Sequence, residues 1–228
     1  MSEKILVETL SFKEVSKLFY ESFDKAFPKT KRYFENAKRK LRKAKIKNHK
    51  WIKTYEEFPG VKINFYSEIN ENFDEDDVKV SIGMTYRTKK GLILVTFDSS
   101  NGGVPIYNIH MPNRWDNWVR IYTGHFCERY AERIMKIDNP TFNDGSEGLM
   151  FSDLLGPVRI IENKSETIQE IAFQFKDGQA FGFRDLDSKV CLLRTVYSNH
   201  ILKKDKLEFK DQYEDSFEQY YELFGIKI

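Results

Sequence analysis

The spacing of apolar residues changes along the chain, from a helical period near 3.6 residues to a strand period near two. A capping box of the form Ser-x-x-Glu begins at Ser11, and the apolar residues after it predict a first helix to about Ala26. Pro28 is expected to end that helix, and a weaker apolar stripe beyond it predicts a second one. The Pro59-Gly60 turn signal then marks the change to strands.

Short alternating runs separated by turn signals predict a largely antiparallel sheet after this turn. A helix that carries His125 interrupts the runs, and residues 138–148 have the composition of a loop. An amphipathic helix is expected at 213–224. The candidate strands are 61–69, 78–86, 92–97, 105–110, 118–122, 158–162, 170–175, 180–183 and 190–197.

Helices first and last around a set of strands indicate α+β architecture. We expect a basic helical N-terminal region at 1–58 followed by an α+β body at 59–228. Charge distinguishes the two parts, because twelve Lys or Arg residues between Lys29 and Lys53 stand against the single Glu35. That segment carries +11, whereas the whole chain of 228 residues carries +2, so the remaining residues sum to −9.

The basic segment has the composition of a nucleic-acid contact surface. Its Lys and Arg residues could pair with phosphates, while the rings of Tyr33, Phe34 and Trp51 stack on bases. The alternative is a basic helix face that packs against the acidic remainder or is simply solvated. The candidate nucleic-acid-binding residues are Lys38, Arg39, Lys40, Arg42, Lys43, Lys45 and Lys47.

The cysteine residues and the hydropathy of the chain indicate the cellular compartment in which the protein is expected. Cys127 and Cys191 lack metal-ligand spacing and are expected to be buried free thiols, which fits a reducing cytoplasm. We expect no secretion signal and no membrane partner, because no basic flank precedes an apolar run and no long apolar window occurs. Neither a metal nor another cofactor is expected.

The richest chemistry lies in the predicted helix around residues 123–134. Five polar residues there stand at i, i+3, i+4, i+7 and i+8 and therefore share one face, while Phe126 and Tyr130 point to a core. An imidazole, two carboxylates and two guanidiniums could serve phosphodiester cleavage, whereas the alternative is a solvated face of salt bridges. The five polar residues are His125, Glu128, Arg129, Glu132 and Arg133.

Two late strands add hydroxyl groups to this set. A Gly-x-x-x-Gly hairpin starts at Gly178, and the strand after it carries Arg194, Thr195 and Tyr197. Thr195 and Tyr197 could donate hydrogen bonds to a phosphate, although both are also ordinary strand-forming residues.

The helix with His-x-x-x-Arg near its start and the Arg-Thr-x-Tyr-Ser strand end together resemble the metal-independent ribonuclease superfamily of barnase, EndoU, colicin and RelE-like folds. The resemblance covers about residues 118–202 and is strongest to members associated with phages and mobile elements. It implies that His125 and Arg129 match the helix histidine and basic residue, and that Thr195 matches the strand hydroxyl residue.

The leading hypothesis is therefore a metal-independent endoribonuclease. In it the ribose 2′-OH attacks its own phosphate, Glu128 or a nearby group accepts the proton, and His125 protonates the leaving oxygen. The alternative is His125 as the base, because a glutamate beside two arginines is a poor base when it is ion-paired. Arg129 and Arg133 hold the phosphate, with help from Thr195 and Tyr197. The alternatives are a non-catalytic accessory protein that binds nucleic acid or protein, and an adaptor in phage and host conflict whose acidic body masks a basic partner.

Overall fold

The computed structural model describes residues 11–44, 50–58, 60–68, 78–88, 91–97, 118–151 and 158–199. The described part of the chain contains three helices and nine strands, and the pairs of strands with a defined register are antiparallel, which confirms the predicted α+β class. It divides into two compact units. The first contains the residues up to Ile121 together with 188–190, and the second contains 122–187 and the residues from Cys191 onward.

Helix α1 spans Phe12–Ala44 without a break. Its capping box forms as predicted, since the Ser11 backbone N–H donates to the Glu14 carboxylate at 2.7 Å. The expectation of two helices joined near Pro28 is wrong, because Pro28 lies inside the helix. Proline has no backbone N–H, so the carbonyl one turn earlier in the helix loses its hydrogen-bond partner. Pro28 is on the exposed face, where such a carbonyl is tolerated more easily than in a core.

The first unit has strand order β1-β2-β3-β4-β5. The strands are β1 (Lys50–Phe58), β2 (Val61–Glu68), β3 (Val78–Thr88), β4 (Gly91–Phe97) and β5 (Val119–Thr123). The apolar face of α1 packs on them through buried residues that include Phe19 and Phe23, whose rings each lie 4.8 Å from the ring of Phe97. This packing accounts for the helical spacing of the first apolar stripe.

Strand β1 falls in the segment that the sequence analysis assigned to helices. Its aromatic and β-branched residues pair with β2 across the tight turn at Gly60. Gly60 has a φ of 83°, and a Cβ there would lie 2.5 Å from the Thr85 carbonyl oxygen. Glycine is therefore required at this turn, and β1 can fold back directly onto β2.

The second unit contains two helices and has strand order β9-β8-β7-β6. Its elements are α2 (Gly124–Arg133), α3 (Phe142–Phe151), β6 (Val158–Asn163), β7 (Ile168–Phe175), β8 (Gly178–Asp185) and β9 (Val190–Ser198). The predicted Asp-Gly hairpin is confirmed between β7 and β8, where Phe175 pairs with Gly178.

Helix α3 corrects the prediction of a loop at 138–148. A second capping box starts it, in which the Thr141 backbone N–H donates to the Asp144 carboxylate at 2.7 Å. Gly145 disfavours a helix in isolation, yet a Cβ there would overlap the backbone of Cys127 on α2. The glycine is thus needed for close packing of the two helices, and that packing outweighs the local propensity.

Two predicted elements, the strand at 105–110 and the helix at 213–224, lie outside the described residues. Among the helices that the structure describes, none combines the length and the apolar character needed to cross a membrane.

Candidate functional site

The junction between β5 and α2 positions His125. Thr123 caps the helix, because its Oγ1 accepts a hydrogen bond from the Phe126 backbone N–H at 3.1 Å and donates one to the Arg194 carbonyl of β9 at 3.3 Å. The start of α2 is thereby held on β9. Phe126 and Tyr130 are buried while His125 is exposed, which confirms the orientation predicted from their spacing.

His125 and Glu128 are accessible on the polar face, as is Glu132. These side chains are exposed, and no hydrogen bond joins the His125 imidazole to another residue in the described part of the chain. His125 lies in the first turn of α2, where the helix dipole and backbone N–H groups favour an anion. An anionic ligand could therefore approach this imidazole.

Arg129 is already paired. Its guanidinium forms an ion pair with Glu132 one turn along the helix. The hydrogen bond from Arg129 lowers the pKa of Glu132, and the charges of Arg129, Arg133 and His125 act in the same direction. Glu132 consequently neutralises part of the positive charge that the sequence analysis assigned to phosphate binding.

Arg133 is engaged by β9. Its Nη1 donates a hydrogen bond to the Val196 carbonyl at 2.6 Å, and its guanidinium lies 4.6 Å from the centre of the Tyr197 ring. The Phe181 ring packs edge-on against Tyr197 at 5.8 Å. The structure thus brings Arg133 and Tyr197 together as predicted, in a contact that fastens α2 to β9.

Thr195 is half-buried on β9 between exposed Arg194 and buried Val196. Among the described residues its hydroxyl forms no hydrogen bond, neither to His125 nor to another residue. The hydroxyl therefore has no bonded partner within the region that the resemblance covers.

The Gly-x-x-x-Gly hairpin has a packing explanation. A Cβ at Gly178 would overlap the Tyr197 carbonyl oxygen, and one at Gly182 would overlap the Leu192 carbonyl oxygen. Both glycines permit the close approach of β8 and β9. Their spacing therefore reflects strand packing and supplies no evidence for a phosphate-binding loop.

The second candidate surface is the C-terminal half of α1. Lys38, Lys40, Arg42 and Lys43 occupy helical positions there, Arg39 is exposed, and Lys45 and Lys47 lie outside the described residues.

A regular set of cations runs along this half of the helix. We call the positions 29, 32, 36, 39 and 43, which recur at steps of three and four, the basic stripe. The side chains of Lys29, Arg32 and Arg39 are exposed on it, and Arg39 Nη2 donates to the Asn36 amide oxygen at 3.0 Å. The basic stripe is thus a linear array of positive charge on one face.

An aromatic cluster beside the stripe modifies the expectation of base stacking. The Tyr33 ring of α1 stacks on the Tyr55 ring of β1, with centroids 4.0 Å apart and planes 10° apart, and the Lys53 ammonium lies 4.9 Å from the Tyr55 centroid. Tyr33 therefore uses one ring face for folding. The alternation of Lys53 and Tyr55 could have indicated this cluster, had β1 been recognised as a strand.

Thiol and metal chemistry have little support among these residues. Burial, with a smaller effect of the Glu128 charge, raises the pKa of the Cys127 thiol, so the thiolate nucleophile is disfavoured. Cys191 is also a buried free thiol. Within the described ranges, no three His, Cys, Asp or Glu side chains converge as metal ligands.

Comparisons with protein-family models, with curated proteins and with solved structures give no match to this chain.

Proposed function

We propose that this protein binds nucleic acid without cleaving it, through the basic C-terminal half of α1. The observation that carries the proposal is the basic stripe, on which exposed Lys29, Arg32 and Arg39 repeat at helical spacing. Release of counterions from nucleic acid favours binding to such an array. RNA and DNA share the phosphate chemistry that this surface recognises.

Binding is preferred to catalysis because the arginines of α2 and Arg39 of the stripe contact different kinds of partner. On α2, Arg129 pairs with Glu132 and Arg133 donates to the Val196 carbonyl. Glu132 already offsets the charge of Arg129, and the contact of Arg133 with β9 fixes its guanidinium, so both are less available to a phosphate. On the basic stripe, the hydrogen bond from Arg39 goes to the neutral amide of Asn36, which leaves the positive charge uncompensated by that contact.

Fluorescence anisotropy with labelled RNA and DNA of mixed sequence tests the proposal. The test variant carries Lys38→Glu, Arg39→Glu, Arg42→Glu and Lys43→Glu. The control reverses four exposed cations outside the segment through Lys13→Glu, Lys17→Glu, Arg87→Glu and Lys176→Glu. We expect the affinity of the test variant to fall by about tenfold or more, and that of the control to change far less. Equal effects of the two variants, or unchanged binding by the test variant, would refute the proposal.

Metal-independent endoribonuclease activity is the second candidate function, and exposed His125 in the first turn of α2 is the observation that favours it. In this mechanism Glu128 accepts the proton of the attacking 2′-OH, and His125 protonates the 5′-oxygen as the P–O bond breaks. The products are a 2′,3′-cyclic phosphate and a 5′-hydroxyl.

Incubation of the purified chain with mixed RNA in EDTA separates the two functions. The endoribonuclease hypothesis requires cleavage to cyclic phosphate ends, with loss of activity in His125→Ala. Cleavage only with a divalent ion, or undiminished cleavage by His125→Ala, contradicts this mechanism. Intact RNA that remains bound supports the non-catalytic function.

A further inference from the structure

We infer that the basic stripe recognises the phosphate backbone of a nucleic-acid duplex and reads no base sequence. This inference rests on the proposed function and narrows its ligand. Three features of the first unit support it: the geometry of the stripe, the self-contact of neighbouring aromatic rings, and the polar contacts of the stripe itself.

The stripe is long and its positions recur regularly. Positions 29 and 43 are fourteen residues apart on α1, which corresponds to about 21 Å of helix at about 1.5 Å per residue. Pro28 precedes this stretch, so no proline interrupts it. A duplex advances about 3.4 Å per base pair and is stiff far beyond this length, so about six base pairs match the stripe without further ordering.

A single strand is flexible, so straightening it along the same helix would cost conformational entropy. Proteins that bind single strands offset this cost mainly by stacking bases on aromatic side chains. Tyr33 and Tyr55 instead stack on each other at 4.0 Å, and Lys53 lies over Tyr55. The Tyr33 ring therefore has one face, and the Tyr55 ring has both a stacked ring and a cation, engaged within the protein, which reduces the ring area available to bases.

The exposed cations of the stripe are suited to contacts with phosphate groups. Lys29, Arg32 and Arg39 project from one face, and the hydrogen bond to Asn36 restrains the Arg39 guanidinium. A row of cations can contact phosphates along a duplex, and such contacts position a protein on a duplex while they carry no sequence information. Four stripe cations, with Lys43 as the fourth, predict a slope of log affinity against log salt near −3.6 for duplex DNA, from about −0.9 for each phosphate.

The experiment measures binding of the full chain to three probes, each made in two unrelated base sequences: duplex DNA and duplex RNA of about 16 base pairs, and a single strand of about 16 nucleotides, all longer than the stripe. Binding is measured by anisotropy over a salt series. The test variant carries Arg32→Glu and Arg39→Glu. The matched control carries Lys13→Glu and Lys17→Glu, which make the same change of charge on the same helix. Circular dichroism establishes that both variants are folded.

We expect both duplexes to bind about tenfold more tightly than the single strand, with no dependence on sequence, and Arg32→Glu with Arg39→Glu to lower the salt slope by about two. The control should keep the parent slope. Equal or tighter binding of the single strand overturns the duplex inference but leaves the proposed function standing. A salt slope that the test variant leaves unchanged overturns both, because the stripe would then make no contacts to phosphate. Failure to bind any probe overturns both.

Discussion

Replacing Phe126 and His125 separately by alanine tests whether α2 has a structural face and an accessible face. The two residues are adjacent in sequence, so the variants probe the same turn of the same helix. Phe126 is fully buried, and its ring lies 5.3 Å from that of Tyr122. His125 is exposed and makes no hydrogen bond to a described residue.

The expected magnitudes differ by several fold. Truncation of a buried phenylalanine to alanine typically lowers the free energy of unfolding by about 3 to 5 kcal/mol, since apolar contacts are lost and a cavity remains. An exposed substitution usually stays within about 0.5 kcal/mol. In a chain of this size about 1 kcal/mol corresponds to roughly 2 to 4 °C in Tm. Phe126→Ala should therefore lower Tm by about 6 °C or more, and His125→Ala by about 2 °C at most.

Thermal melts of the two variants beside the parent chain provide the measurement. If His125→Ala destabilises the protein as much as Phe126→Ala, the histidine has a structural role in the folded protein. The endoribonuclease hypothesis would then lose its basis, because loss of activity in His125→Ala could be a consequence of unfolding. A small shift for His125→Ala makes the activity assay interpretable.

Two further predictions concern the α2 and α3 pair. Gly145→Ala should destabilise the protein by about 1 to 3 kcal/mol, because its Cβ meets the Cys127 backbone. Gly148→Ala should cost less, since its Cβ meets mainly the flexible Met135 side chain, and equal losses in chemical denaturation would refute this reasoning. Hydrogen bonds from Thr141 lower the pKa of Asp144, so its contribution to stability is present at neutral pH and is lost as the pH falls through that lowered pKa. The Tm difference between the parent and Asp144→Asn should therefore be largest near pH 7 and shrink in acid, and a constant difference would contradict this.

Local patterns predicted much of the fold. The capping box at Ser11, the alternation along the late strands and the Asp-Gly hairpin each depend on residues close in sequence, and the structure confirms them. The errors at Pro28 and at 138–148 arise from features that the local sequence does not show. Pro28 is accommodated because it lies on the exposed face of α1, and Gly145 is accommodated because it allows close packing against α2. Each is a residue that usually ends or weakens a helix.

At the candidate site, too, the spacing of residues predicted some features and missed others. Helical periodicity correctly indicated that Phe126 and Tyr130 are buried while His125 is exposed. It could not indicate what the arginines contact. The partner of Arg133 is a backbone carbonyl 63 residues away on β9, and no local pattern marks an acceptor of that kind.

The α2 face and the basic stripe both contain arginine, but these arginines have different partners and therefore different roles. On α2 the Arg129 guanidinium pairs with a carboxylate of the same helix, and the Arg133 guanidinium holds the helix on β9 through a backbone carbonyl. A bound phosphate there would compete with contacts that stabilise the fold. On α1 the stripe cations Lys29, Arg32 and Arg39 are exposed, whereas the core is formed by other residues of the helix such as Phe19 and Phe23, so ligand binding to the stripe requires no rearrangement of the core. The balance of these contacts is why nucleic-acid binding, rather than cleavage, is the function that the described residues support best.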